Sequence, residues 1–286
     1  MAELKIIGAK KEYDLHTLGV KEFTHEFADG SLTTIVGMLG SGKSTLVNLL
    51  CGIVDVTAGQ IFLGGKELQS LEPKFRNVCL MKEGMCATKG SVRDNLSYGL
   101  KLRGFAKAEI NERVNEALAL LGLEQVSKEK MKKLSERERR LTSLGRAVVR
   151  KPDLFVLDEP FFNLTDEDKQ SLAHAIVNVQ KATGITTLLI SSEGADAFLC
   201  GDYAIIMREG EIIQKGSESE LLSAPADMFV ASYIGENPMS FIREEDCFVG
   251  FRADDVKSGE KYVGVIEGEE NWMRRITMMQ ALCYFS

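Results

Sequence analysis

The chain has 286 residues, 44% of them hydrophobic and 27% charged, with five prolines and a formal charge of -7. That length and balance suit a soluble globular protein of one large domain plus something small, and they argue against long disordered tracts. The acidic surplus argues against a general grip on nucleic acid, which needs a basic surface to meet the phosphate backbone, and leaves room only for a local basic patch.

Cys51, Cys79, Cys86, Cys200, Cys247 and Cys283 are scattered with no C-x-x-C pair, so neither a zinc site nor a redox motif is indicated and reduced thiols are expected. The N-terminus MAELKIIGAKKEY lacks the apolar centre of a signal peptide. No stretch approaches the roughly 20 apolar residues a membrane helix needs. The expectation is a cytoplasmic protein, free to lie against a membrane protein.

In chain order, SLTTIVG (31–37) reads as a buried strand and KSTLVNLLCGI (43–53) as the helix it feeds. QIFLGGKEL then reads as a strand and turn. From about 105 to 150 the apolar spacing of three and four predicts helix throughout, a helical insertion. DLFVLD (153–158) is a buried strand, DEDKQSLAHAIVNVQKATG a helix closed by glycine, and TTLLISS another buried strand. YAIIMREGEIIQKG is a hairpin turning at Glu209-Gly210. Alternation of this kind implies an α/β fold with an at least partly parallel sheet and a helical subdomain. Past about Gly235 the text offers two or three short strands and too little apolar material for a core of its own.

The chemistry sits first in GMLGSGKST (37–45), which fits G-x-x-G-x-G-K-[ST] between a strand and a helix. Gly37, Gly40 and Gly42 let backbone N–H groups of the loop, Met38, Leu39 and Ser41 included, converge on phosphate oxygens. The helix end adds its dipole, Lys43 reaches the outer phosphates, and the hydroxyl of Ser44, followed by Thr45, is a Mg²⁺ ligand. A plain glycine-rich turn is the bland alternative, and the joint placement of all five key residues weighs against it. More than a hundred residues later, Asp158 ends a strand in position to hold the metal through water, and Glu159 beside it is placed to polarise an attacking water.

LFVLDEP, with a Leu-Ser helix start some twenty residues earlier and a helical insertion before that, resembles the ATPase subunits of ABC transporters. The run P-A-x-x-F-V-A-x-Y-I-G-x-x-P-M at 225–239 is similar to the end of the maltose-type carbohydrate-importer ATPases, and FVGFRADDV (248–256) to the start of their regulatory domain. The resemblance covers residues 1 to about 256. It implies a P-loop nucleoside-triphosphatase core with a mixed sheet flanked by helices over 1–235, a helical subdomain at about 87–150, and a truncated β-rich regulatory extension at 236–286. It implies ATP and Mg²⁺ as cofactors, a homodimer or heterodimer of ATPase subunits, and membrane permease subunits as partners at the inner face of the cell membrane. By the same resemblance Tyr13 would stack on adenine, and positions 83, 192 and 135 would be the loop glutamine, the switch histidine and the signature serine.

Three of those positions depart from the family. Glu83 stands for the glutamine and Ser192 for the histidine, and the only histidines are His16, His25 and His174. Ser135-Glu136-Arg137-Glu138 replaces the bare glycines of the signature with S-x-x-E, a capping box, whose carboxylates suit a helix N-terminus but repel a triphosphate. Ser135 is therefore at best a weak ligand in trans, and an ordinary capped helix is the better reading. FFNLTDED also carries Phe162 and Thr165 where the family has small Ser and Asp. The expectation is ATP binding with impaired hydrolysis. A regulatory paralogue that switches on nucleotide binding alone is the alternative, and a soluble P-loop kinase a weaker third, since it has no use for the 225–239 run.

Overall fold

The computed structural model describes residues 2–14, 17–82, 89–244, 247–252, 262–267 and 277–280. Among them lie three sheets. The central one has strand order β10-β9-β3-β8-β7-β6, formed by β3 (Leu32–Val36), β6 (Val78–Lys82), β7 (Leu154–Asp158), β8 (Thr186–Ser191), β9 (Tyr203–Arg208) and β10 (Glu211–Ser217). Its pairings are parallel except for the β9–β10 hairpin, which turns at Glu209 and Gly210, both at positive φ.

Strand β7 is buried along its whole length, because both faces of the sheet are covered. Leu154 and Val156 face one core, with Leu46, Leu49 and Leu50 of α1 (Lys43–Cys51). Phe155 and Leu157 face the other, with Leu144 and Leu172. That second core is built by α2 (Val92–Leu102), α3 (Lys107–Leu121), α4 (Glu136–Val148) and α5 (Asp166–Thr183).

The first core is closed by an antiparallel sheet of order β2-β1-β4-β5, of which the sequence announced β4 and the turn after it but not β1 or β2. Its strands are β1 (Leu4–Asp14), β2 (Thr17–Phe27), β4 (Ala58–Leu63) and β5 (Lys66–Glu67). Repeated register shifts between β1 and β2 bend the ribbon and blur the period of two that would have marked it.

Two expectations are corrected. Residues 105–150 are not helical throughout: Gly122, in the left-handed region, ends α3, and α4 starts only after Ser135 in extended backbone, with a single 3-10 turn at Met131–Lys133 between. Beyond α6 (Glu218–Ser223) and α7 (Met228–Tyr233) the described residues hold four strands rather than two or three. These are β11 (Ser240–Glu244), β12 (Cys247–Phe251), β13 (Tyr262–Glu267) and β14 (Thr277–Gln280), all antiparallel. Arg252 ties this segment to the cassette through the carbonyls of Asn237 and Leu222.

Candidate nucleotide site

The loop 37–45 joins β3 to α1 at the carboxyl end of the parallel strands, where open α/β sheets place ligands. Three glycines are required for different reasons. A Cβ on Gly37 would lie 2.3 Å from the Met207 carbonyl, and one on Gly42 2.3 Å from that of Gly19, while Gly40 takes φ +84°. Helices α2, α4 and α6 each carry a capping box, but α1 begins at Gly42 with no side-chain cap. Its first N–H groups are thus left for an anion.

Lys43 is buried and turned back into the loop, its Nζ donating to the Gly37 carbonyl, to Met38 O at 3.0 Å and to Ser41 Oγ at 3.0 Å. Burial lowers its pKa, and the charges of Glu159 and Asp158 oppose that shift. Ser44 is exposed at the mouth, whereas Met38 and Leu39 project outward, Leu39 at 92% exposure. The Tyr13 hydroxyl lies 3.3 Å from Thr45 Oγ1, which sets its half-exposed ring beside the start of α1.

The two carboxylates arrive on β7. Asp158, 4% exposed, meets Lys82 Nζ at 3.1 Å. Glu159 sits at φ +54°, its N–H bonded to Ile190 O. Its carboxylate accepts from both the N–H and the hydroxyl of Ser192, yet burial outweighs these donors and raises its pKa. Ser192 is framed in turn: Ser191 Oγ donates to Asp196 at 2.6 Å, Lys169 bridges Asp196 and Glu193, and the Tyr233 hydroxyl donates to Ser192 O at 2.8 Å. Ser192 and Glu159 thus meet at the end of the parallel strands.

Ser135 behaves as its sequence says. Its Oγ accepts from Glu138 N while the Glu138 carboxylate accepts from Ser135 N at 2.8 Å, closing the capping box. Of the three arginines able to offset the acidic pair, Arg139 and Arg140 contact Glu136, but Arg137 reaches Ser171 at 2.6 Å instead. Buried Arg140 also donates to the Phe162 carbonyl, fastening the signature helix to the segment after β7, and Thr165 serves as the N-cap of α5. The Ser135 hydroxyl is thus engaged within its own helix start. Glu83 lies outside the described residues.

Lys82 and Tyr233 were not identified from the sequence. The signal for Lys82 was a charged residue closing a buried strand in LMK, one position before Glu83. Tyr233 stood inside the 225–239 run with nothing to say where its hydroxyl goes.

A family model described as "ABC transporter" matches residues 20–162. The sn-glycerol-3-phosphate import ATP-binding proteins UgpC of Cupriavidus necator and of Yersinia pestis are each 35% identical over 243 residues, 85% of this chain and 66% and 68% of theirs. The chain thus spans about two thirds of the length of these curated relatives. Among solved structures, cbiO1 from Clostridium perfringens, part of the ABC transporter complex cbiONQ, superposes with a TM-score of 0.72 at 26% identity, over 77% of this chain and 90% of that one. The ADP conformation of MJ1267, an ATP-binding cassette of an ABC transporter, gives 0.67 at 25%, over 80% and 98%. With the phosphate loop, the strand-borne Asp158-Glu159 pair and the helical layer all in place, the chain belongs to the ABC transporter family as an ATP-binding cassette.

Proposed function

We propose that this chain is the ATP-binding subunit of an importer for sugars or related small solutes, one that holds MgATP and hydrolyses it slowly. The observation that carries the reading is the uncapped start of α1 beneath a loop whose lysine and two carboxylates converge on one mouth. The names of the UgpC relatives support an importer of a small polar solute.

In this reading the backbone from Gly37 to Thr45 and Lys43 hold the phosphates, Tyr13 meets the base, and Ser44 and Asp158 hold Mg²⁺. Hard oxygen donors suit that ion, which takes one or two carboxylates plus phosphate oxygens and needs no protein cage. Among the described residues no group of three or more His, Cys, Asp or Glu gathers, in keeping with a metal that comes with its nucleotide. Bound Mg²⁺ would neutralise phosphate charge. Glu159 would accept the proton of an attacking water, and Glu83 and Ser192 are the residues at the two sequence positions where, by resemblance, the family carries the groups that orient it. Removing one such contact often costs about 10² to 10³ in rate, so the substitutions slow turnover without abolishing binding.

The cassette would occupy residues 1–235, with its helical subdomain at about 87–150 and a β-rich extension at 236–286. No helix among the described residues is long and apolar enough to cross a membrane. A groove of about 410 Å³ between β6, α2 and α4, lined by Leu96, Tyr98, Leu102, Arg103, Arg146 and Arg150, supports docking on permease subunits at the cytoplasmic face. There the chain would pair with itself or with another cassette. The committed capping box at Ser135 favours a second reading, a regulatory paralogue that switches on binding alone.

The test is MgATP binding, phosphate release and co-purification of a membrane subunit, measured on the same preparation. Binding with slow release and a permease attached supports the first reading, and binding without a permease the second. Fast turnover abolished by Glu159→Gln would show that the substituted positions were not needed.

A further inference from the structure

Lys82 is the last residue of β6 and Asp158 the last of β7, and the parallel register pairs them directly. Paired residues on adjacent strands send their side chains to the same face of the sheet. Lys82 Nζ therefore lies 3.1 Å from Asp158 Oδ2. The carboxylate side chain is 5% exposed and the lysine 51%, so the ammonium reaches in from solvent to a carboxylate that the fold has withdrawn from it. An ionised carboxylate at that depth needs a compensating charge.

The same face holds Lys43, whose field reaches both Asp158 and Glu159. Among the described residues, two ammonium groups thus stand against two carboxylates. With Lys43 alone the mouth would carry an excess negative charge, and an anionic nucleotide would depend on a divalent ion to enter. Lysine donates and offers no ligand atom, so it cannot help to coordinate Mg²⁺. It can only compete with the ion for the oxygen it already holds.

We propose that Lys82 is a resident cation at Asp158, which competes with Mg²⁺ for that carboxylate and lets the loop hold ATP with little dependence on metal. This rests on the reading of residues 37–45 as the ATP site.

The test is equilibrium dialysis of labelled ATP against the wild-type chain, Lys82→Met and Lys82→Arg, each in Mg²⁺ and in excess EDTA, with a Mg²⁺ titration of each. Removing metal should weaken ATP binding by no more than about threefold in the wild type and in Lys82→Arg, but by about tenfold or more in Lys82→Met, the scale of one charged contact. Lys82→Met should also reach half-saturation at lower Mg²⁺. Lys82→Gln replaces Met should that variant disturb the strand. Equal metal dependence in all variants would overturn the role of Lys82 and leave the ATP site standing. A wild-type chain that binds no ATP in either buffer would overturn both.

Discussion

Ser192 donates its backbone N–H and its hydroxyl to the Glu159 carboxylate, so the proposed base is already held by the residue at the proposed switch position. A carboxylate already accepting two protein donors has fewer lone pairs for a water. Phosphate release by the wild type is expected at least about 10²-fold below that of a chain carrying Glu83→Gln, Ser192→His and a Gly-Gly-Gln signature at 136–138. Ser192→His alone should recover little of this, because Glu136 and Glu138 remain in the first turn of α4, where their charges repel a triphosphate. Full recovery by that single substitution would show that the signature helix is not limiting. Glu159→Gln should leave ATP affinity within about threefold, since the N–H groups of α1 and Lys43 carry the binding.

Tyr233 joins the two halves of the site. Its hydroxyl donates to Ser192 O at 2.8 Å and accepts from the N–H of Gly37, where the phosphate loop starts. Burial and the nearby charges of Glu159, Asp196 and Glu193 keep it protonated. Its ring stacks on Phe229 at 5.2 Å, so Tyr233→Phe keeps the packing and removes only the hydroxyl. One hydrogen bond is worth about 0.5–1.5 kcal/mol, so ATP affinity should fall roughly two- to tenfold. Affinity measured alongside the thermal midpoint separates this from a loss of fold. Gly194→Ala should act far more severely, because its Cβ would stand 1.7 Å from the Tyr233 carbonyl.

Returning the signature to glycine should weaken the fold. Ser135→Ala alone removes one side of the capping box and is expected to cost about 1 kcal/mol in urea unfolding. Replacing Glu136 and Arg137 by glycine and Glu138 by glutamine keeps a box of S-x-x-Q, but adds two glycines at about 0.8–1.0 kcal/mol each. It also removes the Glu136 oxygen 3.2 Å from Arg140 Nε and the bond from Arg137 to Ser171. A total near 2–3 kcal/mol is expected. A variant as stable as the wild type would mean that these charges do not hold α4 in place.

The local geometry of the candidate site was largely legible in the sequence, because the demands on it are local. Gly37, Gly40, Gly42 and Lys43 are dictated by one turn of backbone, and the capping box at Ser135 by four consecutive residues. What could not be read depends on register between distant segments. The pairing of Lys82 with Asp158 needs β6 and β7 aligned across 75 intervening positions. The reach of Tyr233 to Ser192 needs the C-terminal helix folded back over the sheet. The N-terminal ribbon escaped notice for a different reason: its bulges break the alternation of Ile6, Ala9 and Val20 that would have announced two strands.

His25 ties the N-terminal sheet to the central one, and acid should loosen that seam. Its ring packs edge-on against Phe27 at 4.6 Å and over Tyr203 at 6.2 Å, with Nδ1 3.1 Å from Lys215 Nζ. Burial, then the charge of Lys215, lowers its pKa to about 4. The unfolded chain binds this proton from about pH 6.5 downward, whereas the folded chain resists it until about pH 4. Stability is therefore full above about pH 6.5 and declines as the pH falls toward 4. Because the ring is only half-buried, the loss from this residue should be about 1 kcal/mol rather than the larger figure the shift alone would give. Urea midpoints measured from pH 7 to pH 4 should fall less steeply in His25→Gln than in the wild type. The His25 ring resonances should still be those of the neutral form at pH 5.5, and half-protonation near pH 6.5 would mean that neither burial nor Lys215 governs the ring.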